Sequence, residues 1–447
     1  MSHYRYKLNN YHAIECADIA VNGITVLSGE NGCGKSTLSR WLYYLVNEAS
    51  LYDKYLFDDY VRKVTSLVGR IDFAASGFRS PLAESNPTES SRISYRTYAR
   101  RMRQVDYQSE DSIHEVQELF FQALHRFSES LLAYLEVAES DANRRRVLRY
   151  LDMKLPQNRD YSQATENFVV EYQQIVDHLT MELVHSMENR PLGKFMEMIP
   201  TIFKETDTAP DDIQLAEDEV NLLNEGHIGT LFNLQRAIYI DTPMAITTDV
   251  TRNIFWTELR DMILKPSDAY QVDKLLLRRI KNLLGGEAAL VEVDEGFDEK
   301  ELRFVSADHL INIELGKVAT GFKTFSYLQR LLENGYITSE TLLLIDEPEA
   351  HLHPQWIVEY ARLLVLLYKK VGVKIMLASH NPDMVAAIRA IAEKENVLDV
   401  TRFYIAKEGT VPHKYVYHDL GTQITEIFSS FNIALDRIES YGASSLS

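Results

Sequence analysis

Residues 26–37 read Val26-Leu27-Ser28-Gly29-Glu30-Asn31-Gly32-Cys33-Gly34-Lys35-Ser36-Thr37, and this stretch decides the fold. Ile24, Val26 and Leu27 predict a short buried strand, and Leu38, Trp41, Leu42 and Leu45 recur behind the glycines at helical spacing. Strand, glycine loop and helix in that order are the pattern of a phosphate-binding loop. Gly29, Gly32 and Gly34 let successive backbone N–H groups converge on an anion, and the helix behind them adds the positive end of its dipole. The expected contacts to a nucleotide run from Gly29 through Asn31, Gly32, Cys33 and Gly34 to Lys35, Ser36 and Thr37. Lys35 is placed for the terminal phosphates and Ser36 for Mg²⁺.

Two downstream stretches complete the pattern. Thr341-Leu342-Leu343-Leu344-Ile345-Asp346-Glu347-Pro348 is an apolar strand ending in two carboxylates, and open α/β sheets hold their ligands at such strand ends. Asp346 suits Mg²⁺ alongside Ser36, and Glu347 suits the orientation of a water, since phosphoryl transfer needs positioning more than covalent chemistry. Ile375-Met376-Leu377-Ala378-Ser379-His380-Asn381-Pro382 is a further buried strand ending in a polar turn. A lone histidine is commonly structural. Its place at a strand end makes His380 a candidate for contact with a γ-phosphate.

Together, Asn31-Gly32, Asp346-Glu347-Pro348 and His380 resemble the ABC-type ATPases. Asp346-Glu347-Pro348-Glu349-Ala350-His351-Leu352-His353-Pro354 is similar to the OLD, RecF and SMC branch. Ala319-Thr320-Gly321-Phe322-Lys323-Thr324-Phe325 resembles the S-G-[L/I]-K-S signature of ATPase subunits in anti-phage systems, with Thr320 where serine is usual. The resemblance covers about the first 50 residues and those after about 228. It implies an α/β P-loop head with a mixed sheet and flanking helices, ATP and Mg²⁺ as cofactors, and ATP hydrolysis. Two copies would close around ATP, with Lys35, Ser36, Thr37, Asp346, Glu347 and His380 from one and Thr320, Gly321 and Lys323 from the other. Glu347, His380 and Lys35 take the catalytic roles in that arrangement.

Composition bounds the rest. The 447 residues are 45% hydrophobic and 25% charged, and 47 Lys+Arg against 65 Asp+Glu give a net charge of −18. A uniformly basic nucleic-acid binder is thereby disfavoured, though not a local basic face. Cys16 and Cys33 are too few for a disulfide framework or a zinc site. No leader-like segment and no bilayer-length apolar run is visible, so a cytoplasmic setting without membrane partners is expected.

The expected organisation is an ATPase lobe over 1–85, a helical insertion over 86–227 and a second lobe over 228–447. Tyr4 to Leu8 and Ala17 to Val21 read as strands, with turns at Asn9-Asn10 and Asn22-Gly23. Tyr11 suits either adenine stacking or packing. Ile113, Val116, Phe120, Leu124, Phe127, Leu131 and Leu135 drift at a 3.6 period, which predicts compact helices in the insertion rather than a coiled-coil arm. Arg92 to Arg103 and Arg144 to Arg149 are arginine-rich; solvated helix faces and a nucleic-acid or partner surface both account for them. Glu205 to Glu219 reads as an exposed acidic linker, and Ile424 to Ile438 as a final helix.

Function follows from resemblance. The leading expectation is an ATP-sandwich dimer, or higher homo-oligomer, acting as sensor and scaffold of an anti-phage defence complex with a separate effector, a nuclease, and with DNA or a phage protein as a further partner. PARIS, Septu and retron-linked ATPases are the systems it resembles. OLD proteins carry a nuclease domain after the ATPase, and the 67 residues after His380 leave no room for one. The competing reading is a RecF/SMC-like repair or chromosome-maintenance ATPase that binds DNA directly. A transporter subunit fits poorly, because roughly 285 residues separate Lys35 from Gly321.

Overall fold

The computed structural model describes residues 2–76, 95–203, 208–224, 226–241, 254–267, 273–292, 300–350 and 352–428. They form two compact units, Met1–Ser50 with Leu192–Ser447, and Leu51–Pro191. The chain opens with β1 (Tyr4–Tyr11), β2 (Ile14–Ala20) and β3 (Ile24–Ser28), followed by the long helix α1 (Lys35–Ser76). In β1 the period of two buries Tyr4, Tyr6 and Leu8. Strand β2 pairs antiparallel with β1 from Arg5↔Ala20 to Tyr11↔Ile14. Asn9 and Asn10 therefore lie inside β1 and are not a turn. The reversal falls at His12-Ala13, where His12 takes a left-handed φ of 48°.

The Leu51–Pro191 unit is helical: besides the second part of α1 it holds α2 (Arg96–Met102), α3 (Glu110–Val137), α4 (Asp141–Tyr150) and α5 (Tyr161–Asn189). Ser109, Ser140 and Asp160 cap the last three through their side chains. The apolar stripes meet where Phe127 packs on Phe168 (5.8 Å between centroids), and Phe168 lies 4.4 Å from Tyr172. This is the packed helical insertion that the drifting stripe implies.

The other unit continues with α6 (Leu192–Phe203), β4 (Asp212–Glu217), the short strands β5 (Val220–Asn221), β6 (Leu223–Asn224) and β7 (His227–Ile228), and β8 (Arg236–Ile240). Helices α7 (Ile254–Leu264) and α8 (Lys274–Leu284) lead into a three-stranded sheet of β9 (Gly286–Glu292), β10 (Lys300–Ser306) and β11 (Asn312–Glu314). Then follow α9 (Thr320–Glu333), β12 (Thr341–Asp346), α10 (Pro354–Val371), β13 (Lys374–Ala378), α11 (Pro382–Lys394), β14 (Thr401–Glu408) and β15 (Tyr415–Asp419). Thr425–Phe428 is helical, and the rest of the expected final helix lies outside the described residues.

Ten strands form one mixed sheet in the order β5-β4-β1-β2-β15-β14-β3-β13-β12-β8. Strands β14, β3, β13, β12 and β8 are parallel neighbours, and every residue of β3, β12 and β13 is buried. Such two-sided burial is what a parallel sheet with helical cover requires. At the edge, Asn47 of α1 treats β8 as a neighbouring strand would: its amide donates to the Ala237 carbonyl (3.1 Å) and accepts from the Ala237 N–H (2.7 Å).

The two units divide after Ser50 and after Pro191. Within the supposed acidic linker, Asp212–Glu217 is sheet: it pairs antiparallel with β1, burying Ile213 and Leu215. Its acidic composition hides an alternating pattern. Glu217 itself is buried, accepting from Tyr4 Oη (2.6 Å) and from the backbone N–H groups of Phe232 and Asn233 (2.8 and 3.1 Å). Burial works to raise its carboxyl, but these donors hold it below the usual glutamate range. A depressed folded pKa contributes stability above the unfolded value and loses it as pH falls through the folded one. Glu217→Gln should therefore lower the unfolding midpoint at pH 7, and the gap to wild type should close as the pH drops below the ordinary glutamate range. A gap that widens in acid would contradict this.

Candidate functional site

Parallel register brings the three motifs to one edge. Leu27 of β3 pairs with Ala378 of β13, and Ala378 pairs with Asp346 of β12. The phosphate-type loop, the Asp346-Glu347 pair and Ser379-His380 thus leave the sheet side by side. Gly34 has φ +96°, and a Cβ there would lie 2.7 Å from Ile14 Cγ1; one on Gly29 would lie 2.8 Å from both Cys33 Sγ and the Ala406 methyl. Backbone geometry therefore demands glycine at both positions, independently of any ligand. Gly32 also has a left-handed φ of 84°, with open space around it.

Lys35 is buried, with its Nζ 2.9 Å from the carbonyls of Gly29 and Glu30 and 3.7 Å from Cys33 Sγ. Its ammonium sits inside the curl of the loop, where the loop's own acceptors hold it. Cys33 is buried against Tyr417, whose Oη donates to the Cys33 carbonyl (3.1 Å). Thr37 is half-buried, while Asn31 and Ser36 are exposed. Tyr11 rests on His12 and on Trp41, with ring centroids 4.2 and 5.7 Å apart. That is packing.

Asp346 is 3% exposed, and three hydroxyls surround it. Ser39 Oγ donates to Oδ1 and Tyr239 Oη to Oδ2, both at 2.8 Å, and the Ser36 hydroxyl lies close enough to work with them in lowering the carboxyl. Burial raises the carboxyl, and the three donors pull against it. The Tyr239 phenol is pushed well above its ordinary value by burial and then by the Asp346 charge. Among the described residues no cation pairs with Asp346. A buried carboxylate beside the Ser36 hydroxyl fits a hard divalent cation, which takes oxygen ligands at such a site.

Glu347 follows with a left-handed φ of 46°, its N–H donating to the Ala378 carbonyl (2.8 Å). A non-glycine residue there costs about 1–3 kcal/mol, a cost characteristic of functional positions. The bend leaves the Glu347 carboxylate 39% exposed, with Oε1 3.7 Å from His380 Nδ1. Glu349, only 4% exposed, is the second acid facing His380, at 3.5 Å. It also accepts from Ser379 Oγ (2.9 Å) and from the His380 N–H (3.1 Å). Burial raises its carboxyl. Asn381 then caps α11 by accepting from the N–H groups of Asp383 and Met384, with Pro382 in the first turn.

The signature segment has different surroundings. Thr320 and Gly321 open α9, whose N-cap Ala319 provides no side-chain bond. The helix therefore presents first-turn N–H groups that no cap side chain claims. A Cβ on Gly321 would lie 3.0 Å from Leu352. Lys323 turns inward, buried, and donates to the Gly316 carbonyl at 2.6 Å.

Ser39, Tyr239 and Glu349 were not singled out in the sequence. Ser39 lies one turn beyond Ser36. Tyr239 pairs with Leu344, and so faces the same side of the sheet as Asp346. Only the strand register reveals that placement.

Comparisons with known proteins bear on the second half of the chain. Residues 229–386 match the family model described as "AAA domain, putative AbiEii toxin, Type IV TA system". The match contains the signature segment, Asp346-Glu347 and His380, and supports a P-loop ATPase type of domain. No curated protein matches the chain. Among solved structures, the SMC head domain from Thermotoga maritima is 9% identical over 94% of this chain and 99% of that one, with a TM-score of 0.36. The Smc head domain from Pyrococcus furiosus, solved with the C-terminal domain of ScpA, is 10% identical over 98% and 100%, with a TM-score of 0.32. CbiO1 from Clostridium perfringens, part of an ABC transporter complex, is 14% identical over 56% and 83%, with a TM-score of 0.27. At these scores the likenesses carry no argument, and the fold stands on its own strand order and registers. Among the described residues no helix is long and apolar enough to cross a membrane.

The Asp346 cage makes a direct prediction. A buried carboxylate without a cation opposes folding of the nucleotide-free chain. Asp346→Asn should raise its thermal midpoint at neutral pH, measured by calorimetry without nucleotide. A lower midpoint would show that the cage is a structural device.

Proposed function

We propose that the chain is an ATP-binding and ATP-hydrolysing ABC-type ATPase whose two copies close around ATP. The observation that carries this reading is the buried Asp346, held by Ser39 of the loop helix and by Tyr239 and set beside the Ser36 hydroxyl, with Glu347 bent out next to it. The loop's N–H groups and Lys35 bind the phosphates, with Lys35 exchanging its Gly29 and Glu30 carbonyls for phosphate oxygens. Mg²⁺ held by Ser36 and Asp346 would supply charge neutralisation on the phosphates. Glu347 orients a water against the γ-phosphorus and accepts its proton as the bond to the bridging oxygen breaks. His380, steadied by Glu349, donates to the γ-phosphoryl group.

The N-terminus of α9, which no cap side chain claims, would face an anion when a second copy presents its nucleotide. Lys323 joins it by leaving the Gly316 carbonyl. ATP then acts as the bridge between copies, and its hydrolysis opens them. We further assign the dimer to an anti-phage defence complex, as the sensor and scaffold that controls a separate effector, a nuclease. The resemblance of residues 346–354 and 319–325 to such ATPase subunits supports this, as does the toxin-system description of the matched family model.

Lys35→Ala should abolish ATP binding. Glu347→Gln should bind ATP normally, lose turnover by about 10²-fold or more, and accumulate as a dimer in sizing experiments with ATP. Turnover by Glu347→Gln equal to wild type would overturn its role. A stoichiometric nuclease recovered with the trapped dimer from its own host would support the effector assignment, and recovery of none would overturn it.

A further inference from the structure

The helical unit carries a surface that the nucleotide chemistry does not use. Helix α4 and the loop after it line an open cleft of about 710 Å³. Four cations and two acids border it: Arg145, Arg149, Lys154 and Arg159, with Asp141 and Asp152. Both acids are already engaged, Asp141 with Arg144 and Arg159 (3.0 and 3.5 Å) and Asp152 with Arg70 (2.6 Å). Arg145, Arg149 and Lys154 are exposed and form no ion pair among the described residues. Three uncompensated cations on one short stretch are unexpected in a chain of net charge −18.

Beside them lies an exposed aromatic pair. Phe73 of α1 is 60% exposed and Tyr150 of α4 is 41% exposed, their centroids 5.0 Å apart and their planes at 80°. Adjacent exposed rings make a contiguous apolar patch, the kind of exposure that marks a contact site where single residues do not. Tyr150 directly follows Arg149 at the end of α4, and Arg70, one turn before Phe73 on α1, pairs with Asp152 at the border of the cleft, so the rings adjoin the cations.

The geometry points to a single-stranded nucleic-acid site on the helical unit, in which Arg145, Arg149 and Lys154 hold successive phosphates while Phe73 and Tyr150 stack on bases. Guanidinium forks match phosphate oxygens in pairs. Ring faces are of use only to unpaired bases, because a duplex hides its own. An acidic peptide would satisfy the cations and leave the rings unused. The site rests on residues 70–159 alone and is independent of the ATPase reading.

The test is fluorescence anisotropy of labelled oligothymidylate and oligouridylate with the full chain, without ATP, across a salt series. Binding of either oligomer supports the site, and the comparison tells which sugar it accepts. Arg145→Ala, Arg149→Ala and Lys154→Ala should each reduce the slope of log affinity against log salt by about 0.7. Phe73→Ala and Tyr150→Ala should weaken binding about five- to hundredfold with the slope unchanged. All five side chains are exposed, so unfolding midpoints should match wild type, and Arg149→Lys should restore the slope. Variants that bind like wild type would overturn the proposal. So would equal binding of duplex DNA or polyglutamate with no effect of the aromatic substitutions, which would mark the cleft as a docking face for an acidic protein.

Discussion

The lateral pairing of β3, β13 and β12 in parallel register is the constraint on which the rest depends. Leu27, Ala378 and Asp346 stand abreast. Whatever follows each strand is therefore delivered to one edge: the glycine loop, the Ser379-His380 turn and the Glu347 bend. None of these segments has regular structure to hold it in place. Each is fixed by the strand behind it and by bonds across the edge, such as Glu347 N–H to Ala378 and Ser379 N–H to Leu27. A register slip of one residue would turn Asp346 to the opposite face and dissolve the cage.

That edge carries unfavourable features that the fold tolerates: a buried carboxylate without a cation, a left-handed glutamate and a second buried acid beside His380. The fully apolar strands and the helices packed over them supply the stability that makes this possible. Ile24, Val26, Leu343, Ile345, Ile375 and Leu377 share one core with Phe325, Tyr360 and Leu364 of the covering helices. Strain and uncompensated charge concentrated at one strand edge mark a site where a ligand is meant to supply what the protein lacks.

Much of this was legible in the sequence. The loop, Asp346-Glu347 and His380 stand out because short apolar runs end in chemistry-bearing residues. What escaped depended on partners distant in sequence. Glu217 looked like solvated acid because nothing local announces Tyr4 Oη or Asn233. Tyr239 and Ser39 became part of the site only once β8 was paired with β12 and α1 placed behind the loop. Asn9 favours turns locally but is paired on both sides, with Cys16 of β2 and Asp212 of β4, and Asn10 takes its left-handed φ of 52° inside β1 rather than in a turn. The bond by which Lys323 donates to the Gly316 carbonyl was likewise not announced by any local pattern.

The central claim is that Ser36 and Asp346 form a divalent-cation site completed by nucleotide. Electron paramagnetic resonance of Mn²⁺, titrated into the chain with and without a non-hydrolysable ATP analogue, tests it most directly. Mn²⁺ should bind tightly only when the nucleotide is present, and Asp346→Asn should weaken it strongly while the analogue still binds through Lys35 and the loop. Mn²⁺ held equally well by wild type and Asp346→Asn would contradict it.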